Sequence, residues 1–485
     1  MHIIVAALIL HTGFATAIQT FMNYSGPDTV TKVAVIGAGA GGSSAAYYLQ
    51  KFTSHGYNIT IFEDNGYIGG RSTTIKNYDP NYPFDIELGG SVFVDANKIL
   101  FNAAKEFNLT TKRDNLRSQY PKLFHGTIGV WDGTDFVFTQ SASDSGLFNK
   151  AKLFLKYKLS PLRTYFLVKN FIQDFLNGFY DKYFPFELDY AAGHTQLGPV
   201  ANVTGASFLE SHHVSSPFAK EIIEAATRMN YRSNVDDIHA VETLVSLAAD
   251  DTYQVEGGNY LIFENFIARS GANLLLNCVA QSISSIETGW NVEYSQGGSD
   301  TQSDTFDQVI IAAPFHLSNI TLKGDNIEGI DEVPYRTLHA TYVSTSRTTP
   351  INNPYFGNGS IPEMILTKSS LVDVPFFSIS IVSYDPRNDT IIYKLFTASP
   401  VDEKFLLRYL FDNETPFQIV YSKVWKPYPH LVSRQSFGNF QIGQGLWYLN
   451  NFEPLISTME TSCLAGASVA GLMSIGRNTT AIKVP

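Results

Sequence analysis

Apolar and polar positions at the start of this chain fall in the order strand, turn, helix, strand. Lys32 to Ile36 is a β-branched apolar run, Gly37 to Gly42 a glycine-rich turn, and Ala45, Ala46, Tyr47 and Leu49 mark a helix-like stretch. A second apolar strand, Asn58 to Phe62, ends on Glu63. Further along, the pattern predicts a helix over Tyr260 to Arg269, a strand over Leu274 to Val279, a β-meander turning near Gly289 and Gly297, and a strand over Gln308 to Pro314. An Ala/Gly-rich helix reaching Leu472 closes the series. Strands alternating with helices predict an α/β fold around a parallel sheet.

The first turn carries the chemistry. Gly37, Gly39 and Gly42 stand at G-x-G-x-x-G spacing: the first permits the tight turn, the second lets backbone approach a diphosphate, the third lets helix pack on strand. The diphosphate then meets free N–H groups at the positive helix end. Glu63 falls about 20 residues beyond the turn, where a carboxylate holds a ribose diol. These signals in one β-α-β register predict dinucleotide binding. A second turn follows, Tyr67-Ile68-Gly69-Gly70-Arg71, whose backbone and guanidinium offer further donors to a diphosphate.

Nicotinamide dehydrogenases do not need that second turn. With Glu87-Leu88-Gly89-Gly90-Ser91 it resembles the GGR and acidic-glycine motifs of amine-oxidase-like flavoproteins, which implies FAD. The resemblance implies a Rossmann-type FAD-binding domain of the glutathione-reductase-2 or amine-oxidase-like kind, built from residues 31–125, 255–320 and 436–480. An α+β substrate domain then comprises residues 126–254 and 321–435. It also implies that Val279 contacts adenine through its backbone and that Gly90, Met459 and Glu460 belong to the cofactor site, the helix N-terminus there facing the flavin's pyrimidine end.

Outside the flavin motifs, Glu87 to Val92 running into Asn97, Met229-Asn230-Tyr231 with Val245 to Ala248, Val255 to Asn259, and Tyr448-Leu449-Asn450 with Met459-Glu460 resemble the prenylcysteine oxidase, or prenylcysteine lyase, family. That resemblance covers nearly the whole chain after its first residues. It implies oxidation of an S-farnesyl or S-geranylgeranyl cysteine by O2 and water to cysteine, an isoprenoid aldehyde and hydrogen peroxide, in the degradation of prenylated proteins. No catalytic acid or base is assigned, since the cofactor carries the redox step. Two rivals stay open: an amine or polyamine oxidase of the same fold, and a redox-silent flavin-bearing glycoprotein that carries lipids. Arg232-Ser233 departs from the Gly-Gln usual in the family, and Val333 to Arg336 lacks the lysine that amine oxidases commonly place near the flavin.

Between the flavin segments, Leu147 to Phe186 is dense in Phe and Tyr at helix-like spacing, interrupted by Pro161 and interleaved with Lys and Arg. The plain reading is an amphipathic core helix; the sharper one is an isoprenoid-binding wall that also touches membrane surfaces.

Composition narrows the partners. With 34 basic against 45 acidic residues the net charge of −11 repels polyanions, which excludes nucleic acid. No metal-ligand motif is legible, and His212-His213 reads as a surface pair. Ile3 to Leu10 is continuously apolar and is followed by Phe14-Ala15-Thr16-Ala17, which predicts a signal peptide over residues 1–17. Asn-x-Ser/Thr sequons at Asn23, Asn58, Asn108, Asn202, Asn319, Asn358, Asn388, Asn413 and Asn478 agree with a glycoprotein of the secretory pathway. A lysosome or vacuole is the expected destination, with secretion as the alternative. Cys278 and Cys463 are the two cysteines, so no disulfide framework holds the chain.

Overall fold

A computed structural model describes residues 30–53, 56–75, 86–113, 116–141, 153–248, 252–370 and 373–475. The expected signal peptide and the sequons at Asn23 and Asn478 lie outside them.

The β-branched run becomes the strand Thr31–Ile36, and its alternation settles what lies on each face. Val33 and Val35 point to one core, with Ala45, Phe263 and Leu464 from three helices; Ala34 and Ile36 point to another, with Ile283, Val292 and Tyr294. A strand apolar on both faces belongs in the middle of a sheet covered on both sides. It pairs in parallel with Tyr57–Glu63 on one side and Gln308–Ile311 on the other. Asn273–Leu276 and Leu446–Tyr448 extend the parallel sheet, and Gln441–Gly443 adds an antiparallel edge. The sheet therefore draws strands from stretches about the positions 31–63, 273–311 and 441–448.

Two predicted elements differ in detail. The single strand expected over Leu274 to Val279 is broken at Asn277, which takes φ +52°, so the chain leaves the parallel sheet and begins Cys278–Ile286 in the four-stranded meander. Asn tolerates this left-handed backbone better than most residues. Pro161 does not interrupt a helix but opens one: Ser160–Phe175 carries it in the first turn, where its missing N–H costs nothing.

A seven-stranded sheet forms the other half, in the order Phe417–Trp425, Leu338–Ser346, Thr390–Thr397, Phe376–Asp385, Met364–Thr367, Ile128–Trp131, Phe136–Gln140. Its outer face packs Trp131, Val343, Ile379 and Leu395 into a core of their own. The opposite face carries Ala340, Tyr342 and Phe396 and looks toward the parallel sheet. Between the two sheets lies a cavity of about 1650 Å³.

Candidate active site

One end of the cavity is made of backbone. The strand Thr31–Ile36 ends at Gly37, and the helix Ala40–Thr53 begins three residues later with its first N–H groups unbonded inside the helix. Gly42 closes the turn: a Cβ there would stand 2.0 Å from the Gly37 carbonyl oxygen. Gly39 is the reverse case, because a Cβ there would meet only the Gly69–Gly70 backbone, at 3.9 Å. The space in front of Gly39 is open, and a side chain would fill it. The second turn packs on the first, with Gly69 N–H donating to the Ala38 carbonyl at 3.0 Å. Gly37, Gly39, Glu63, Gly70, Arg71, Gly90, Val279, Met459 and Glu460 line the cavity; Gly42 sits behind it and sets helix against strand.

Glu63 is buried and held in place. Its Oε2 accepts from Ala38 N–H at 2.7 Å and its Oε1 from Asn65 N–H at 2.9 Å. Val279, 38 % exposed, follows the Asn277 kink and faces the same end of the cavity. A carboxylate at the tip of the second strand, two glycine turns and the start of a helix therefore converge as an adenosine diphosphate requires. The cavity is larger than the roughly 300–1,000 Å³ of a single small-ligand site, leaving room for FAD and a substrate together.

The C-terminal helix Met459–Ser474 brings a second N-terminus to this cavity. Thr458 caps it, accepting from Thr461 N–H at 3.2 Å while Thr461 Oγ1 accepts from Thr458 N–H at 3.2 Å. Small residues let the two N-terminal ends lie side by side: a Cβ on Gly466 would be 2.4 Å from the Gly41 carbonyl oxygen, and Ser44 Oγ donates to the Cys463 carbonyl at 2.7 Å. Close packing and presentation of a dipole are thus one arrangement.

Two of the expected cofactor-site side chains also have partners within the fold. Glu460 lines the cavity, but its carboxylate is committed elsewhere: it accepts from Ile99 N–H at 2.7 Å, Leu100 N–H at 3.0 Å and the Tyr180 hydroxyl. It caps the helix Lys98–Glu106, and burial pushes its carboxyl up to about 7. Arg71 lines the cavity and is also tied into the fold. One Nη donates to the Pro427 carbonyl at 3.0 Å and to Glu453 Oε2 at 3.2 Å, and the other is paired with Glu453 Oε1. In the second turn it is the Gly69–Gly70 backbone that faces the first glycines.

Glu453 was not signalled by any motif. It is 3 % exposed and also accepts from Asn450 Nδ2 at 2.8 Å and from the Tyr335 hydroxyl. Burial first, and then Glu453, raises the Tyr335 hydroxyl well above the ordinary tyrosine range. Asn259 is the second omission: fully buried, it donates to the Gly90 carbonyl at 2.8 Å and accepts from Val255 N–H at 2.8 Å, so the Val255 to Asn259 run braces the Gly90 turn. Gly90 takes φ +58°, and a Cβ there would stand 2.9 Å from Met459 Sδ.

Of the two readings of the aromatic stretch, the core helix holds for the described residues. No described residue between 153 and 186 lines the cavity. Phe171, Phe175 and Phe179 join the core, and the wall opposite the cradle comes from the seven-stranded sheet. Met229, Asn230 and Tyr231 do reach the cavity, with Val245 and Ser246, as Asn230 Nδ2 donates to the Ser246 carbonyl at 3.3 Å. Arg232 stands just beyond, at φ +51°, bonded to the Thr337 carbonyl and stacked on Phe377 at 5.1 Å.

Comparison with known proteins agrees with this geometry. Residues 35–107 match the NAD(P)-binding Rossmann-like domain. Cyclohexylamine oxidase from Brevibacterium oxydans shares the fold, with a TM-score of 0.59 at 14 % identity over 92 % of this chain and 98 % of that one. A farnesylcysteine lyase of Arabidopsis thaliana is 29 % identical over 92 % of this chain and 88 % of its own length. Prenylcysteine oxidase 1 of Mus musculus is 28 % identical over 90 % and 88 %. Residues 140–482, most of the chain, match the prenylcysteine lyase family, and the chain belongs to it.

Proposed function

We propose that this chain is an FAD-dependent thioether oxidase that converts S-prenyl-L-cysteine, O2 and water to cysteine, an isoprenoid aldehyde and hydrogen peroxide. The observation that carries this reading is one continuous cavity, dinucleotide cradle at one end and apolar sheet wall at the other, where Leu338, Leu366, Val382 and Phe396 offer surface to an isoprenoid. The names of the Arabidopsis and mouse relatives support the substrate.

FAD bound in the cradle supplies a two-electron acceptor that O2 can reoxidise. The chain's own task is placement. The prenyl C1–H is allylic and beside sulfur, so the carbon is already activated and no strong side-chain base is required. Two acids of the cavity fit that demand: Glu453 is paired with Arg71, and Glu460 is spent on a helix end. The apolar wall orients the prenyl chain and keeps bulk water from it. Peroxide release from farnesylcysteine and from spermine tests the assignment: turnover of farnesylcysteine is expected, and turnover of spermine alone would reject it. Protein that binds FAD yet stays oxidised with farnesylcysteine would support the lipid-carrier rival.

Membrane contact and a secretory location belong to the same proposal. Leu155, Leu159, Leu162 and Phe166 are 75, 45, 53 and 50 % exposed, with Phe154 and Tyr165 beside them and exposed Lys158 and Lys169 on the same stretch. A contiguous apolar strip flanked by cations suits an anionic lipid surface, where prenylated substrates partition. Sedimentation with phosphatidylserine vesicles should carry the protein down, and a Leu155→Asp/Phe166→Asp variant should stay in the supernatant. Exposure of Asn58, Asn108, Asn202, Asn358, Asn388 and Asn413 supports glycosylation in transit.

A further inference from the structure

The cavity face of the seven-stranded sheet has a register that groups its charges. Ala340 pairs with Lys423 on one neighbouring strand and with Phe396 on the other. One row along, Tyr342 pairs with Lys394. Side chains two apart on a strand share a face, so Lys423, Trp425, Phe396 and Lys394 stand together over the cavity, which all four line. Ala340, between Lys423 and Phe396, is buried beneath this face.

The two lysines differ. Lys394 Nζ donates to the Glu87 carbonyl at 3.2 Å and lies 4.9 Å from the Phe396 ring. Lys423 Nζ lies 5.3 Å over the Trp425 ring and makes no ion pair with the described residues. Arg71, which also lines the cavity and bonds the Pro427 carbonyl, is already neutralised by Glu453, and Lys426, the other lysine of this segment on the lining, is exposed to solvent. Half burial with no anion beside it lowers the Lys423 ammonium below the usual lysine range, and an incoming anion would reverse that. A prenylcysteine has one permanent anion, its α-carboxylate, at the end opposite the prenyl tail.

We propose that Lys423 is the specificity-determining residue that receives the substrate's α-carboxylate, the Trp425 and Phe396 rings flanking the thioether. This rests on the proposed function above. The ammonium fixes the polar end of the substrate at the sheet, and the length of the cysteine then sets how far the C1 carbon reaches toward the cradle.

The test compares farnesylcysteine with its methyl ester in wild type, Lys423→Met and Lys423→Arg, with bound FAD measured by absorbance. Lys423→Met should raise KM for the free acid about tenfold or more while leaving KM for the ester and the FAD content unchanged, and Lys423→Arg should recover most of the loss. Equal losses on acid and ester, no loss on either, or loss of FAD would overturn the subsite while leaving the oxidase assignment standing. A wild-type enzyme that turns over neither compound removes both.

Discussion

The two ends of the cavity are built by different means. The cradle is mostly backbone: glycine turns, two helix N-termini and one carboxylate, with side chains such as Arg71 and Glu460 acting as struts at its edge. The opposite wall is side chains on a sheet face, contributed by strands that are neighbours in space and far apart in sequence. Backbone cradles tolerate almost no change at the glycines, whereas a sheet wall can exchange one apolar residue for another and alter what it accepts. The molecule thus keeps its cofactor end rigid and leaves its substrate end adjustable.

Substitutions at the cradle should be the most damaging and should separate its two glycine roles. Gly42→Val forces a Cβ onto the Gly37 carbonyl, and no soluble folded protein is expected. Gly39→Val has room in the protein but fills the space meant for the diphosphate; circular dichroism should stay native while the yellow flavin absorbance disappears. A Gly39→Val protein that keeps its FAD would break the comparison.

Struts should cost stability rather than chemistry. Glu460→Ala leaves the Ile99 and Leu100 N–H groups and the Tyr180 hydroxyl without their acceptor, and denaturant unfolding should show a loss built from about 1–3 kcal/mol for each buried donor left unsatisfied. The sheet wall should show the opposite signature: Phe396→Ala should keep FAD content and raise KM for farnesylcysteine by roughly 10- to 150-fold, from roughly 1.5–3 kcal/mol of lost apolar contact.

Stability should also depend on pH in a defined direction. Burial raises Glu187 to about 7, Glu242 to about 8 and Glu460 to about 7. Carboxyls raised in the folded state bind more protons there than in the unfolded chain, so stability falls as pH rises from the unfolded carboxyl range, about 4.5, through 7 to 8. His239, buried and lowered to about 4, works the other way and weakens the fold as pH drops below its unfolded value near 6.5. His339 and His430, also lowered by burial, act as His239 does, but histidines unfolded near 6.5 add little above pH 7, where the three carboxyls still lose protons; the melting temperature should be higher at pH 7 than at pH 8, and Glu242→Gln should flatten that slope. The smallest effect is expected at Arg232→Gly, where relief of a left-handed backbone, about 1 kcal/mol, offsets loss of the Thr337 bond; the melting temperature should hardly move.

The contrast between the ends also explains what was legible in the sequence. Glycine turns and the strand-ending Glu63 are local signals, and the parallel sheet and its turns fall where the pattern puts them. Side-chain destinations are set by partners across the fold: Arg71 meets Glu453, and Glu460 meets Ile99, at separations of 382 and 361 residues. Nothing in either neighbourhood announces that. The aromatic stretch misleads for a related reason. Periodicity marks an apolar helix face, and the same periodicity serves a core, a cavity or a membrane; the structure turns Phe171 and Phe175 inward and Leu162 and Phe166 outward. Strand alternation puts Lys423 on one face with Trp425, but only the register across three strands sets it near Phe396 over the cavity.

Mixing the purified holoprotein with farnesylcysteine in the absence of oxygen tests the central claim most directly. Bleaching of the flavin absorbance with stoichiometric release of free cysteine, followed by recovery of colour on admitting air, is the predicted result. A flavin spectrum that stays oxidised at saturating farnesylcysteine would contradict it.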